Sequence, residues 1–309
     1  MRLPHVSDLS GVDAGVVGIP TDDAVGFRSG ARFGPEGVRS ASVLLRSHSP
    51  EMDVDLVERL SIADLGDAPT VPGYHVETLA RVYEFLVPIH AAGVAVLGIG
   101  GDHSCTLAEL RAAAQVHGRL GLVHVDAHPD VIDNYFGMLY FHGTVFRRAI
   151  EEGLVDPARS VQLGLRGTVH APSDAEASEE LGLETIWWEE LRTLTPASVA
   201  ERVRGRVGAG PVFLSFDIDF VDPAFAPGTG TPEPGGPTSS EALAVLRGLQ
   251  GLDYVAADCV EVSPPYDPSG ITTILAANVC HTLLCLIASG PTRRSANQPP
   301  ASAVPLSPP

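Results

Sequence analysis

The sequence predicts a three-layer α/β/α fold built on a mainly parallel sheet. Short apolar runs alternate with longer helical patterns along the chain, the mark of repeated strand–helix units. The apolar runs are nearly continuous, as strands buried on both faces require. Polar, ligand-type residues cluster directly after three of these runs. In open parallel sheets, ligands bind beyond the carboxyl ends of the strands.

Taken in order, strands are expected at 14–18 (AGVVG), 94–99 (VAVLGI), 121–126 (GLVHVD), 161–165 (VQLGL), 183–187 (LETIW), 212–219 (VFLSFDID) and 254–261 (YVAADCVE). Helices are expected near 35–46, 76–92, 105–117, 144–153, 196–207, 239–250 and 271–288. The last is apolar enough to suggest a membrane span. Asn278, His281 and three threonines make a buried helix the better reading, so no membrane partner is expected. One catalytic domain is expected over residues 1–290. Residues 291–309 are rich in Pro, Ser and Ala, have little to bury, and are expected to form a disordered tail.

Composition narrows the function. Hydrophobic residues make up 44% of the 309 and charged residues 19%, which points to a sizeable core. Lys and Arg number 20 against 38 Asp and Glu, a net charge of −18 that argues against nucleic acid as a partner. It is compatible with a cationic substrate, although a solvated acidic surface is the simpler reading. The four cysteines form no CxxC pair and read as buried thiols of a reducing compartment. The first twenty residues lack the apolar stretch of a secretory signal, so the cytoplasm is the expected location.

Three clusters carry the chemistry: Gly100-Gly101-Asp102-His103-Ser104, Asp126-Ala127-His128-Pro129-Asp130 and Asp217-Ile218-Asp219. Side chains of extended chain alternate between faces, so Asp217 and Asp219 are expected to point the same way. The same holds for Asp126, His128 and Asp130 if the chain stays extended. With His103, these make four carboxylates and two imidazoles in one place. Such crowding forces protonation unless a cation is present. Two divalent ions would balance the four carboxylates. Oxygen and imidazole donors without thiolate suit Mn²⁺ better than Zn²⁺. Two metals ~3.5–4 Å apart can share a water and make it acidic. Any one motif alone is as readily a cap or a tight turn. Three of them at the ends of strands in one β–α pattern point to a site.

GGDHS at 100–104, DAHPD at 126–130 and SFDID at 215–219 resemble the signature motifs of the ureohydrolases, the arginase/agmatinase family. HGT at 142–144, DPAFAPGTGTPEPGG at 222–236 and VEVSPPYD at 260–267 extend the resemblance over roughly residues 14–289. The resemblance implies an arginase-like sheet of about eight strands, two Mn²⁺ per subunit, and a homotrimer or homohexamer. It implies that His103, Asp126, Asp130 and Asp217 hold one manganese. Asp126, His128, Asp217 and Asp219 would hold the other, with Asp126 and Asp217 bridging. The implied reaction releases urea from a guanidino compound. Glu261 would orient the guanidinium by charge-assisted hydrogen bonds, and His142 would pass a proton to the leaving amine.

For the substrate's tail, arginases carry Asn two residues after the last Asp of DAHxD, where this chain has Ile132. The motifs look like the agmatinase branch, which includes guanidinobutyrase, guanidinopropionase and proclavaminate amidinohydrolase. Asp133 and Asn134 in the loop 131–141, Arg166, and Thr231 in the long loop are the candidate tail contacts. Asp133 would favour a cationic tail and Arg166 a carboxylate. Agmatine is the first expectation and a guanidino acid the alternative. Pro237 stands where the family usually has Leu, a departure that could alter the loop. A one-zinc amide deacetylase and a non-catalytic homologue are weaker readings, because the full ligand set is present.

Overall fold

The structure, a computed structural model, describes residues 3–169 and 172–291. Eight strands form one sheet: β1 (Ala14–Gly18), β2 (Ile62–Asp67), β3 (Ala95–Ile99), β4 (Leu120–Val125), β5 (Val155–Leu163), β6 (Glu184–Ile186), β7 (Pro211–Asp217) and β8 (Asp253–Val260). Their order across the sheet is β2-β1-β3-β8-β7-β4-β5-β6. Every neighbouring pair is parallel. The main helices are α1 (Gly34–Ala41), α2 (His75–Ala91), α3 (Thr106–His117), α4 (Val145–Glu151), α5 (Pro172–Glu180), α6 (Pro196–Val207), α7 (Ser239–Gly248) and α8 (Ile271–Ala288).

Two apolar cores make the three layers. On one face Val38, Val199, Val245 and Leu283, from α1, α6, α7 and α8, pack with Val16, Leu97 and Val123 of the sheet. On the other, Leu79, Leu107 and Val145, from α2, α3 and α4, pack with Val17, Val96 and Leu122. Alternate residues of each strand thus feed opposite cores, which is why the apolar runs are unbroken. Helix α8 is long and apolar enough to cross a membrane, yet most of it is buried against this core, as expected.

The structure adds elements that the apolar pattern did not reveal. Strand β2 reads IADLGD; it is the last strand of the sheet, pairs with β1 on one side and with only an isolated bridge to His5 on the other, and is partly exposed, so acids and a glycine interrupt its pattern. A small antiparallel pair, His48–Ser49 with Val54–Asp55, stands apart from the sheet. Helix α5 reads PSDAEASEE, with almost no apolar stripe. Strand β5 begins at Val155, before the expected 161, and β7 ends at Asp217 rather than 219. Of the tail expected at 291–309, only Pro291 lies among the described residues.

The fold positions the site through adjacency. Strands β3, β8, β7 and β4 are neighbours, and each ends at one of the polar motifs. Their register pairs Ile99 with Cys259, Val260 with Asp217, and Phe216 with Val125, so the four carboxyl ends finish level.

Candidate metal centre

The first cluster is a tight junction as well as a ligand source. A Cβ on Gly101 would come within 1.7 Å of the Thr21 carbonyl oxygen, so only glycine fits there. Asp102 then caps the turn His103–Cys105, accepting the Ser104 N–H at 3.0 Å. The turn aims the buried His103 ring across the strand ends. Asp217 caps the 3₁₀ turn Ile218–Phe220 and accepts the Asp219 N–H at 2.8 Å. This corrects the expectation of extended chain: Asp219 reaches the site by turning, not by alternation. The DAHPD segment is not extended either. The His128 N–H donates to Asp126 at 2.6 Å, and Asp130 has left-handed backbone, φ +49°. Such strain in a residue other than glycine occurs where the surroundings fix a functional position.

All six residues converge. His103 Nδ1 lies 3.2 Å from Asp126 Oδ2, 3.0 Å from Asp130 Oδ2 and 3.2 Å from Asp217 Oδ2. His128 Nδ1 lies 3.0 Å from Asp219 Oδ2 and 3.6 Å from Asp126 Oδ1. Asp126 therefore offers one oxygen to each group, as a bridging ligand must. Asp217 gives Oδ2 to His103, while its Oδ1 takes the Asp219 N–H. All but His128 are buried.

The electrostatics favour a bound cation. Four carboxylates face two imidazoles, and protonating both rings would still leave two negative charges uncompensated. Burial opposes charge on His103 and His128, but the carboxylates around them outweigh it and hold both pKa values well above the histidine range. Burial, with Asp219 and Asp126 close by, pushes Asp217 well above the carboxylate range; burial raises Asp219 too. His103 Nδ1, fully buried, has no hydrogen-bond partner, although three carboxylate oxygens stand within 3.2 Å. Hard oxygen donors, two imidazoles and no thiolate fit a divalent metal.

One contributor was missed. His124 Nε2 lies 2.7 Å from Asp126 Oδ2. The Gln162 amide donates to the Pro129 carbonyl at 2.7 Å and to His124 Nδ1 at 2.8 Å. His124 Nδ1 therefore accepts, and its Nε2–H donates to Asp126. It is a hydrogen-bond support for a ligand. Its signal was present, since His124, Asp126 and His128 are spaced by two, but a histidine inside GLVHV reads as one more strand residue.

Glu261 follows β8 with left-handed backbone, φ +61°, and accepts the His103 N–H at 2.8 Å. Burial and the neighbouring Asp102 push its carboxyl well above the usual range. His142 Nδ1 lies 3.8 Å from Glu261 Oε1, and the Gly26 N–H donates to His142 Nε2 at 3.2 Å. Burial lowers the His142 pKa, so this ring is neutral near pH 7.

A cleft of about 410 Å³ opens beside this centre, lined by His128, Asp130, Ile132, His142 and Thr231 among others. The expected tail contacts are divided. Asp133 and Asn134 line the cleft; Asp133 is held by Arg148 at 3.1 Å, and Asn134 accepts the Gly137 N–H. Thr231 lines the cleft and donates to Asp219 Oδ2 at 3.2 Å. Arg166 is a correction. Its guanidinium donates to the carbonyls of Asp219 at 2.8 Å, Phe220 at 2.9 Å and Glu233 at 2.7 Å, which leaves it no role as a tail reader. It pins the Pro/Gly-rich loop to the turn that carries Asp219. Arg166→Ala is expected to lower stability by about 2–4 kcal/mol through the unsatisfied carbonyls. A thermal or denaturant melt would show it, and an unchanged melt would contradict the role.

Comparison with known proteins matches the arginase family model to residues 12–285. The chain belongs to the arginase family. Like its relatives, it is a hydrolase of guanidino compounds, acting on a C–N bond. This family member is 47% identical to the guanidinopropionase of Pseudomonas aeruginosa over 95% of this chain and 92% of the relative. It is 44% identical to that organism's guanidinobutyrase, over 93% and 91%. It is 43% identical to the mitochondrial agmatinase of Gallus gallus, over 93% and 84%. The solved structure of proclavaminate amidino hydrolase from Streptomyces clavuligerus superposes with a TM-score of 0.89, at 42% identity, over 93% of this chain and 96% of that one.

Proposed function

We propose that this arginase-family hydrolase releases urea from a guanidino acid, a substrate with a guanidinium head and a carboxylate tail. The observation that carries the metal part is the convergence of four aspartates and two histidines around the unpartnered His103 Nδ1. His103, Asp126, Asp130 and Asp217 would hold one ion, and Asp126, His128, Asp217 and Asp219 the other. Mn²⁺ suits this donor set best. When bound, the metal pair supplies the Lewis acidity that makes water a nucleophile near neutral pH. Glu261 receives the guanidinium head: its buried carboxyl resists ionisation alone, and the cation's arrival removes that penalty. His142, neutral and beside Glu261, would take up the proton released by the attacking water and pass it to the leaving amine. Thr231 and His124 hold Asp219 and Asp126 in place.

The tail assignment rests on relatives. Those named for guanidino acids match at 47% and 44%, above the agmatinase at 43%. The alternative expectation is thereby better supported than agmatine. Agmatine remains a second reading on one observation: Asp174 and Glu180 line the cleft with Arg147, beside Asp133, whose charge Arg148 holds. Urea release should be measured on manganese-loaded protein with 3-guanidinopropanoate, 4-guanidinobutanoate, agmatine and arginine. One guanidino acid is expected to lead agmatine in kcat/KM by at least about tenfold, roughly 1.4 kcal/mol of transition-state binding. Agmatine leading by that margin would transfer the assignment. We further propose a homo-oligomer working in the cytoplasm, a reducing setting that suits four buried free thiols.

A further inference from the structure

Behind the metal centre lies a polar chain that the reaction does not use directly. His103 presents Nε2 to Ser215 Oγ at 2.9 Å. Ser215 Oγ donates its proton to Asp258 Oδ1 at 2.7 Å, so it accepts from His103. In the neutral ring that a metal requires, this order places the proton on Nε2 and turns the Nδ1 lone pair toward Asp126, Asp130 and Asp217. The other oxygen of Asp258 accepts from Thr106 Oγ1 at 2.6 Å. Asp258 is wholly buried on β8.

A second buried acid adjoins it. Glu109 lies on α3, three residues after Thr106, and is 1% exposed. No hydroxyl or N–H reaches either of its oxygens. Its carboxyl occupies the space over Gly98, where a Cβ would come within 2.2 Å of Oε2. Gly98 is the residue of β3 paired with Asp258 of β8, so the two carboxyls meet across that pair of strands. Two carboxylates in one apolar site cannot both ionise, and a shared proton is the stable arrangement. Burial and the nearby Asp258 push Glu109 well above the carboxylate range, which agrees with Glu109 holding that proton.

We propose that Asp258 and Glu109 share one proton and act together, through Ser215, as positioning residues that hold His103 in its metal-binding tautomer. This rests on the metal reading above. Glu109 solvates the Asp258 charge in a place water does not reach. Without that donor, Asp258 takes up a proton itself, the Ser215 hydroxyl loses its anionic acceptor, and His103 Nδ1 becomes a weaker donor to metal.

The test is the Mn²⁺ affinity of the full-length protein, stripped and then titrated with MnCl₂ while free Mn²⁺ is followed by electron paramagnetic resonance. Asp258→Asn is expected to bind about 10–100-fold more weakly, and Glu109→Leu about tenfold. Glu109→Gln, whose amide still donates to Asp258, should stay within about threefold of the parent. Metal-free Glu109→Leu should melt no lower than the parent, because leucine suits a dry site better than a lone acid. Parent-like affinity in Glu109→Leu, or equal losses in the leucine and glutamine variants that track their melting temperatures, would overturn the proposal. A parent protein that binds no Mn²⁺ would instead overturn the metal reading beneath it.

Discussion

Asp126→Ala is expected to abolish urea release, with a loss of at least about a thousandfold, roughly 4 kcal/mol of barrier. Asp126 alone presents one oxygen to the His103 group and the other to the His128 group, so its removal affects both halves of the centre. It also leaves His124 Nε2–H without its acceptor. Metal content measured by elemental analysis should fall with activity. The fold should survive, because the substitution lies at the strand ends and leaves both apolar cores untouched. A variant that keeps a tenth of the activity and its full metal content would remove the basis for the whole site.

Chelation is expected to stop turnover and to invert the effect of pH on stability. The sign follows from the metal-free chain. Asp217, Asp219 and Glu261 have raised pKa values in the folded state, and so do His103 and His128. Groups with raised folded pKa values stabilise below their unfolded values, and that contribution is lost as pH rises through the folded ones. The window opens near the unfolded carboxylate values of about 4 and extends past the unfolded histidine value of about 6.5. Asp126, held low by its histidines, contributes the opposite slope at more acid pH, where its stabilisation disappears as pH falls. The stripped protein should therefore melt at lower temperature at pH 8 than at pH 5.5. The loaded protein should gain stability over the same range, because its ligands must shed protons to bind. Parallel melting curves for the two forms would contradict a cation at this centre.

The parts of the site that could be read from the chain are those whose signal is local. GGDHS, DAHPD and DID each place donors a few residues apart directly after an apolar run, so their chemistry was visible as text. The alternation rule placed Asp217 and Asp219 together for the wrong reason, since Asp219 arrives through a 3₁₀ turn capped by Asp217 itself. Arg166 was legible only as a charge. Its carbonyl partners come from the 3₁₀ turn after β7 and the loop beyond it, some 53 to 67 residues away, and no local pattern shows that its donors are occupied. His124 was hidden by its strand, and Glu109 by its helix, because burial of a polar residue is decided by what the opposite element leaves open.

What the sequence determined by itself was the strand–helix alternation, the central strands and the donor set, since apolar periodicity and residue chemistry are properties of short stretches. What the tertiary structure alone decided was the order β3-β8-β7-β4, which joins motifs more than a hundred residues apart at one level edge. It also decided the seating of Glu109 over Gly98 and the edge position of β2. The physical reason is that strand neighbours are chosen by hydrogen bonding and burial between distant segments, and the electrostatics of a buried acid or base depend on which neighbour that choice places beside it.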